Sequence, residues 1–317
     1  MTRTTMSDWA AEYLRTATPV TIEPVSLAEW QAIRGEIGEL NVPASTATRE
    51  ACGTTVESET VGGVPVFMVT PQDYDAANDE RIALHCHGGG YTFGYPDDGL
   101  YFAEPMARRL GLKVCAVDYR LAPEHPYPAA VEDCVAVYGA LLERFDPANV
   151  VVFGDSAGGA LAMATILATR DAGLALPAGA VLFSPWADLS KTGDSYETLE
   201  GKDPDNHYEI NLRASAEAYA AGHDLTDPLI SPVYGDFGPG FPPVLISCGT
   251  RDLFLSNCAR TQRAMKRAGV DVQLTLWEGM WHWFEIYPKL PEGGESIAEA
   301  AAFLRTRLGI STGKAAG

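Results

Sequence analysis

Nowhere in the chain do two cysteines stand in a C-x-x-C spacing, and no pair of histidines has a spacing suited to a metal. Six cysteines in 317 residues therefore argue against structural zinc, thioredoxin-like chemistry and a disulfide framework. Cys86, Cys115 and Cys248 fall in or at the end of apolar strand-like runs and Cys134 in a helical pattern, whereas Cys52 and Cys258 have less defined surroundings. Free thiols in a reducing compartment are the expectation. Positive charge is also scarce: 23 Lys and Arg face 42 Asp and Glu, a formal charge of -19. That balance argues against nucleic acid, an anionic membrane surface or a polyanionic substrate as partner. There is no G-K-[ST] phosphate loop, no internal repeat and no apolar run of membrane-span length. The opening MTRTTMSDWAAEYLRT lacks the apolar stretch of a signal peptide, so a cytoplasmic location is expected.

What the chain does have is apolar content, 46% by residue, enough for one large domain with a modest insertion. Residues from Ser7 to Gly38 read as helical. Val56–Thr60 and Val64–Val69 alternate around Gly62-Gly63, a hairpin signal. Strand-like runs follow at Ile82–Cys86, Val114–Tyr119, Val150–Phe153, Ala180–Phe183, Val244–Cys248 and Val272–Trp277. Helical stretches separate them, near Leu100–Leu110, Ala129–Arg144, Ala157–Arg170, Asn257–Ala268 and Ser296–Leu308. The alternation predicts an α/β fold, a mostly parallel sheet with helices on both faces and a ligand site beyond the carboxyl ends of its strands. One interval breaks the rhythm: between Ser184 and Pro243 lie roughly sixty residues, more than a crossover helix needs. Its polar part, leading into a helix near Asn211–Ala221, reads as an insertion covering the sheet. The expected organisation is cap helices in 1–50, a catalytic body in 51–187 and 233–310, a cap insertion in 188–232 and a disordered tail in 311–317.

Chemistry enters with VVVFGDSAGGALAMATI, from Val150 to Ile166. A β-branched run stops at a glycine, a serine stands among small residues, and a helical pattern resumes. Alone, a serine after a glycine-rich turn is equally well a helix N-cap. Directly after a strand and before a helix, Gly154-Asp155-Ser156-Ala157-Gly158 fits G-x-S-x-G, the sharp turn that presents a nucleophile. Such a serine needs a base, a group to orient the base, and donors for an oxyanion. Of the six histidines, only His282, in LWEGMWHWF, follows the last strand and falls on the sheet edge of Ser156. Asp252, after Val244–Cys248, and Asp188, after Ala180–Phe183, both satisfy the order Ser, acid, His. Asp252 is preferred because consecutive late strands deliver it beside His282. His87-Gly88-Gly89-Gly90, directly after Ile82–Cys86, offers bare backbone amides to a carbonyl oxygen.

Together HGGG, the stretch DYRLAPEHPYPAAVED (Asp118–Asp133) and GDSAGG resemble the hormone-sensitive-lipase-like, or bacterial family IV, esterases of the α/β-hydrolase fold. The resemblance runs from about Val64 to Leu308. It implies Ser156 as nucleophile, Asp252 as acid and His282 as base. It also implies an oxyanion hole from the amides of Gly89, Gly90 and Ala157, with His87 and Gly88 shaping that loop. A cap of N-terminal helices plus a late insertion belongs to the same expectation, and a homodimer through the sheet edge is compatible with it. Two features depart from the family's pattern: the acid is followed by Leu253-Phe254-Leu255 rather than a further acid or proline, and the glycine loop runs into aromatic residues. Tyr91, Phe93, Tyr95 and Trp186 are the candidate pocket residues; the three aromatics after the glycine loop, Tyr91, Phe93 and Tyr95, either narrow the acyl site or pack against the cap. Asp155 and Glu124 are read as structural, Asp155 bonding toward the motif around Glu124.

The expected activity is hydrolysis of a small-molecule carboxylic ester of short to medium acyl chain through an acyl-enzyme, with no cofactor and no metal. A lactone, thioester, amide or carbamate would use the same groups. A ligand-binding relative that has lost catalysis is the alternative outside enzymology.

Overall fold

The computed structural model describes residues 5–310 apart from positions 19, 20, 23, 25, 95–99, 239 and the side chain at 40. Tyr95 and the 311–317 tail lie outside the described residues. The strands are β1 Thr54–Val61, β2 Val64–Pro71, β3 Ile82–Cys86, β4 Val114–Val117, β5 Val150–Asp155, β6 Gly179–Phe183, β7 Val244–Gly249 and β8 Val272–Trp277. They form one eight-stranded sheet in the order β1-β2-β4-β3-β5-β6-β7-β8. The hairpin β1–β2 turns at Gly62-Gly63, and β2 runs antiparallel to β4; the remaining pairs are parallel.

The helices are α1 Asp8–Thr16, α2 Leu27–Cys52, α3 Ala103–Leu110, α4 Ala129–Leu142, α5 Ala157–Asp171, α6 Ser195–Thr198, α7 Arg213–Ala220, α8 Leu255–Arg267 and α9 Pro291–Arg307. The central strands are apolar on both faces because both are covered. Leu84, Cys86, Val150 and Val152 face a core shared with α4 and α5. Ala83, Val151, Phe153, Val181 and Phe183 face the opposite core, closed by α3 and α9. Each such Val, Leu or Phe, fully buried, contributes about 1.5–3 kcal/mol.

The helical reading of Ser7–Gly38 is corrected in two ways. The chain leaves the helix after Thr16 and re-enters at Leu27, where Ser26 accepts from the Glu29 amide and donates to its carboxylate, a reciprocal cap. The second helix then runs through Pro43 to Cys52, because the packing of its buried face outweighs one missing amide; Gly53, at φ 61°, ends it. The helix expected at Asn211–Ala221 starts with a wider turn at Tyr208–Leu212 and continues as α7. Ile22, ahead of α2, donates its amide to the Ile210 carbonyl, so the N-terminal segment and the 188–232 segment meet over the same end of the sheet.

Candidate active site

β5 carries its ladder through Asp155, and α5 begins at Ala157, so Ser156 alone makes the turn between them. It does so at φ 55° and ψ -124°, a conformation that costs a non-glycine residue free energy of order 1–3 kcal/mol. Its amide is held by the Phe183 carbonyl at 2.8 Å. A side chain at Gly158 would collide with the carbonyls of Cys86 and His87, so β3 and α5 can approach only because that position is bare. The close approach brings the loop after β3 to the serine. Gly89, at φ 103°, takes that loop through a turn in which its carbonyl accepts from the amides of Thr92 and Phe93.

Asp155 has a different partner from the one expected. Its Oδ2 accepts the Gly88 amide at 3.1 Å and its Oδ1 lies 3.1 Å from His85 Nε2, so it braces the glycine loop and not the motif around Glu124. Glu124 is instead paired with Arg34 of α2, whose Nε also donates to the Thr92 carbonyl; that guanidinium holds the Glu124 carboxyl below its usual range. His87 stacks on Tyr119 with ring centres 4.1 Å apart, and the Tyr119 hydroxyl donates to the His87 carbonyl. Burial lowers the His87 pKa to about 4, so the ring is neutral at ordinary pH.

On the other side, β7 and β8 end next to one another, and the loops beyond them carry Asp252 and His282. Asp252 is fully buried; its Oδ2 lies 3.2 Å from His282 Nδ1 and its Oδ1 accepts the Phe254 amide at 2.7 Å. A proton on Nδ1 directed at Asp252 leaves Nε2 as the basic nitrogen. Burial works against a charged His282 ring, but Asp252, with Asp203 and Asp205 behind it, outweighs burial and the pKa is raised overall. Asp188, the alternative acid, is engaged elsewhere. It accepts from Ser190, from the Tyr234 hydroxyl at 2.9 Å and from Arg260 Nη1 at 2.5 Å.

Ser156, His282, Gly89 and Gly90 line one cavity of about 300 Å³. Its walls come from Ile37 and Asn41 of α2, from Asp205, Leu212 and Ser215 of the 188–232 segment, and from Phe93, Trp283 and Ile286. Of the aromatic pocket candidates, Phe93 is part of this wall. Tyr91 and Trp186 are not in it: Tyr91 stacks on Tyr219 at 3.7 Å, and Trp186 stacks on Phe254 while its Nε1 donates to the Tyr196 hydroxyl. Both rings are buried as packing against the segments above the sheet.

Sequence reasoning missed a cluster of buried acids around the pair. Asp203 is buried beside the Asp252 and His282 loops, and Asp205 accepts from the hydroxyls of Tyr13 and Tyr287. Glu285 accepts from Ser247 and Ser296, and burial pushes its pKa up to about 7. The signal available for the first two was D-P-D-N, Asp203–Asn206, which reads as an ordinary turn.

The α/β-hydrolase fold family matches residues 83–286, which span the glycine loop, Ser156, Asp252 and His282. An acetyl-hydrolase of Streptomyces hygroscopicus is 42% identical over 259 residues, 79% of this chain and 82% of its own length. Among solved structures, esterase E25 superposes with a TM-score of 0.89 at 33% identity, covering 95% of this chain and 94% of that one. An esterase from the bacterial hormone-sensitive lipase family superposes with a TM-score of 0.77 at 34% identity, covering 90% and 100%. The chain thus belongs to the α/β-hydrolase fold family and, within it, to the hormone-sensitive-lipase-like carboxylesterases.

Proposed function

We propose that the protein hydrolyses short- to medium-chain carboxylic esters through an acyl-enzyme, with Ser156 as nucleophile, His282 as base and Asp252 as the acid that orients it. The observation carrying this reading is the Asp252–His282 hydrogen bond, whose imidazole lines the same cavity as Ser156, the strained residue of the β5–α5 turn. Ser156 Oγ attacks the ester carbonyl as His282 Nε2 takes its proton. The developing oxyanion is held by the amides of Gly89, Gly90 and Ala157, the last at the N-terminus of α5, where helix amides lack internal partners. His282 then gives its proton to the leaving alcohol, and a water activated by the same ring releases the acid. His87 and Gly88 hold the loop in shape through Tyr119 and Asp155.

Preference for a small acyl group is supported by the apolar walls at Phe93, Leu212, Ile37 and Ile286 and by the acetyl-hydrolase name of the Streptomyces relative. In this reading residues 1–50 and 188–232 form a cap over the body at 51–187 and 233–310. Six buried free cysteines suit a reducing, cytoplasmic setting, and no helix among the described residues is long and apolar enough to cross a membrane. The edge strand β8, with Leu276 exposed, is the surface through which a homodimer would form.

Turnover of p-nitrophenyl esters from acetate to palmitate tests the proposal. Activity peaks at short acyl chains, and Ser156→Ala lowers kcat by about 10⁴-fold or more while the protein stays folded. A Ser156→Ala protein that retains turnover, or a wild type inactive on every ester, overturns it.

A further inference from the structure

Asp203 lies in the 188–232 segment, outside the sheet and its loops, yet it is 1% exposed. Its Oδ2 accepts two backbone amides from different loops: Leu253, next to the acid, at 3.1 Å, and His282 itself at 3.3 Å. Its Oδ1 accepts the amides of Asp205 and Asn206 in its own turn, at 3.0 and 3.1 Å. One carboxylate oxygen therefore bridges the acid loop and the base loop, while the other ties that bridge to the segment above the sheet. Asp205, two residues on, carries the same tie outward through the hydroxyls of Tyr13 and Tyr287.

We propose that Asp203 is a positioning residue for ester hydrolysis: it fixes the Asp252 and His282 loops against each other, so that the segment walling the cavity also sets the geometry of the base. The proposal rests on the triad reading above. Small misplacement of a catalytic group is costly, so a clamp on two backbone amides at the base has leverage that a surface cap lacks. The clamp also has an electrostatic side. Asp203 faces Asp252 and His282 from the two loops, Asp205 from its own turn and Tyr13 from α1. Burial and then the Asp252 charge raise its pKa to about 7. When ionised it adds to the charge that keeps His282 protonated, alongside Asp252, Asp205 and Glu285.

Kinetics of Asp203→Asn and Asp203→Glu on p-nitrophenyl acetate between pH 5 and 9, with circular dichroism and Tm, test the assignment. Asp203→Asn lowers kcat by about 10-fold or more, changes KM less, and moves the acidic limb of kcat/KM to lower pH because a charge beside His282 is gone. Asp203→Glu keeps the charge and so keeps the limb, but its displaced oxygens lower kcat. A residue that merely caps its own turn would change Tm and leave the acidic limb where it is; a folded Asp203→Asn with that profile, or with wild-type kcat, overturns the proposal. If Asp203→Asn does not fold, Asp203→Glu decides: wild-type kcat in that variant overturns the clamp. Ser156→Ala, run in parallel, separates the two failures, since activity surviving there would sink the triad reading rather than the clamp.

Discussion

The two sides of the cavity are built by opposite means. On the Ser156 side the parts are mostly backbone: a strained turn, a bare Gly158 against the Cys86 and His87 carbonyls, and a glycine loop held by its own amides, with Asp155 bracing it at Gly88. On the His282 side the parts are titratable carboxyl groups: Asp252, Asp203 and Glu285, all buried, and the half-buried Asp205 surround one imidazole. Steric fit has no partial state, so the first side tolerates no added atom. An electrostatic cluster responds in degrees, to pH and to the removal of single charges. The difference teaches that the place of Ser156 is set by the fold of the sheet, whereas the place and basicity of His282 depend both on Asp252 from the loop after β7 and on groups from the 188–232 segment.

The sharpest way to break this contrast is to add one methyl group on the rigid side. Gly158→Ala places a Cβ against two backbone carbonyls that cannot move without displacing β3 or the glycine loop. A destabilisation of about 3 kcal/mol or more is expected, beyond ordinary overpacking because backbone and not side chains must yield. The surviving folded fraction should lose at least about 10²-fold in kcat if, as proposed, the loop amides hold the oxyanion. Urea unfolding together with kcat measured per folded molecule checks both. A Gly158→Ala protein with wild-type midpoint and turnover would erase the distinction between the two sides.

On the charged side the expected effect is graded. In the proposed mechanism His282 must be neutral to accept the serine proton, and its pKa is raised above the ordinary histidine value of 6.5. Activity is therefore lost as pH falls through the raised value, and the acidic limb of kcat/KM sits above 6.5. A pH profile taken where the enzyme remains folded measures it. A limb at or below 6.5 would mean that burial, which opposes the charged ring, outweighs the surrounding carboxylates.

The rigid side was the part legible in the sequence. Glycines, a lone serine and the switch from β-branched to alanine-rich residues are local signals, and the close packing they permit follows from them. The succession of strands along the chain and the mostly parallel sheet were legible for the same reason, since both faces of β3, β5, β6 and β7 are buried and the runs are mostly apolar. The charged side was only half legible. Asp252 and His282 follow their strands, but Asp203 reaches them from a segment 49 and 79 positions away in which acidic residues look like solvated turns. Nothing local separates Asp203 from Asp227 or Asp236; only the tertiary path of the insertion does. Trp186 was misplaced as a pocket residue, and Tyr91 took the packing reading, for a related reason: aromatic content near a site does not say which way a ring points. The far end of α2 was not legible, because Gly38 and Pro43 are poor helix formers and only the packing of the helix carries it on to Cys52.

The smallest expected effect lies where the segments above the sheet meet the rigid side. Arg34 of α2 donates to the carbonyls of Thr92 and Ala122 and pairs with Glu124 through two nitrogens. It connects the helix that supplies Ile37 and Asn41 to the cavity with the end of the glycine loop. Because both charges are partly solvated, the pair itself stabilises little, and the two carbonyl contacts carry most of the loss. Arg34→Met keeps the side-chain packing and removes the donors, and should cost about 1–2 kcal/mol in stability. KM should rise by about 3-fold as α2 loosens, with kcat within about 2-fold, because Asp155 still holds the loop from below at Gly88. Steady-state kinetics with thermal unfolding decides the matter. A large fall in kcat at unchanged KM would show that α2 braces the oxyanion amides directly, and the rigid side would then depend on groups outside the sheet as much as the charged side does.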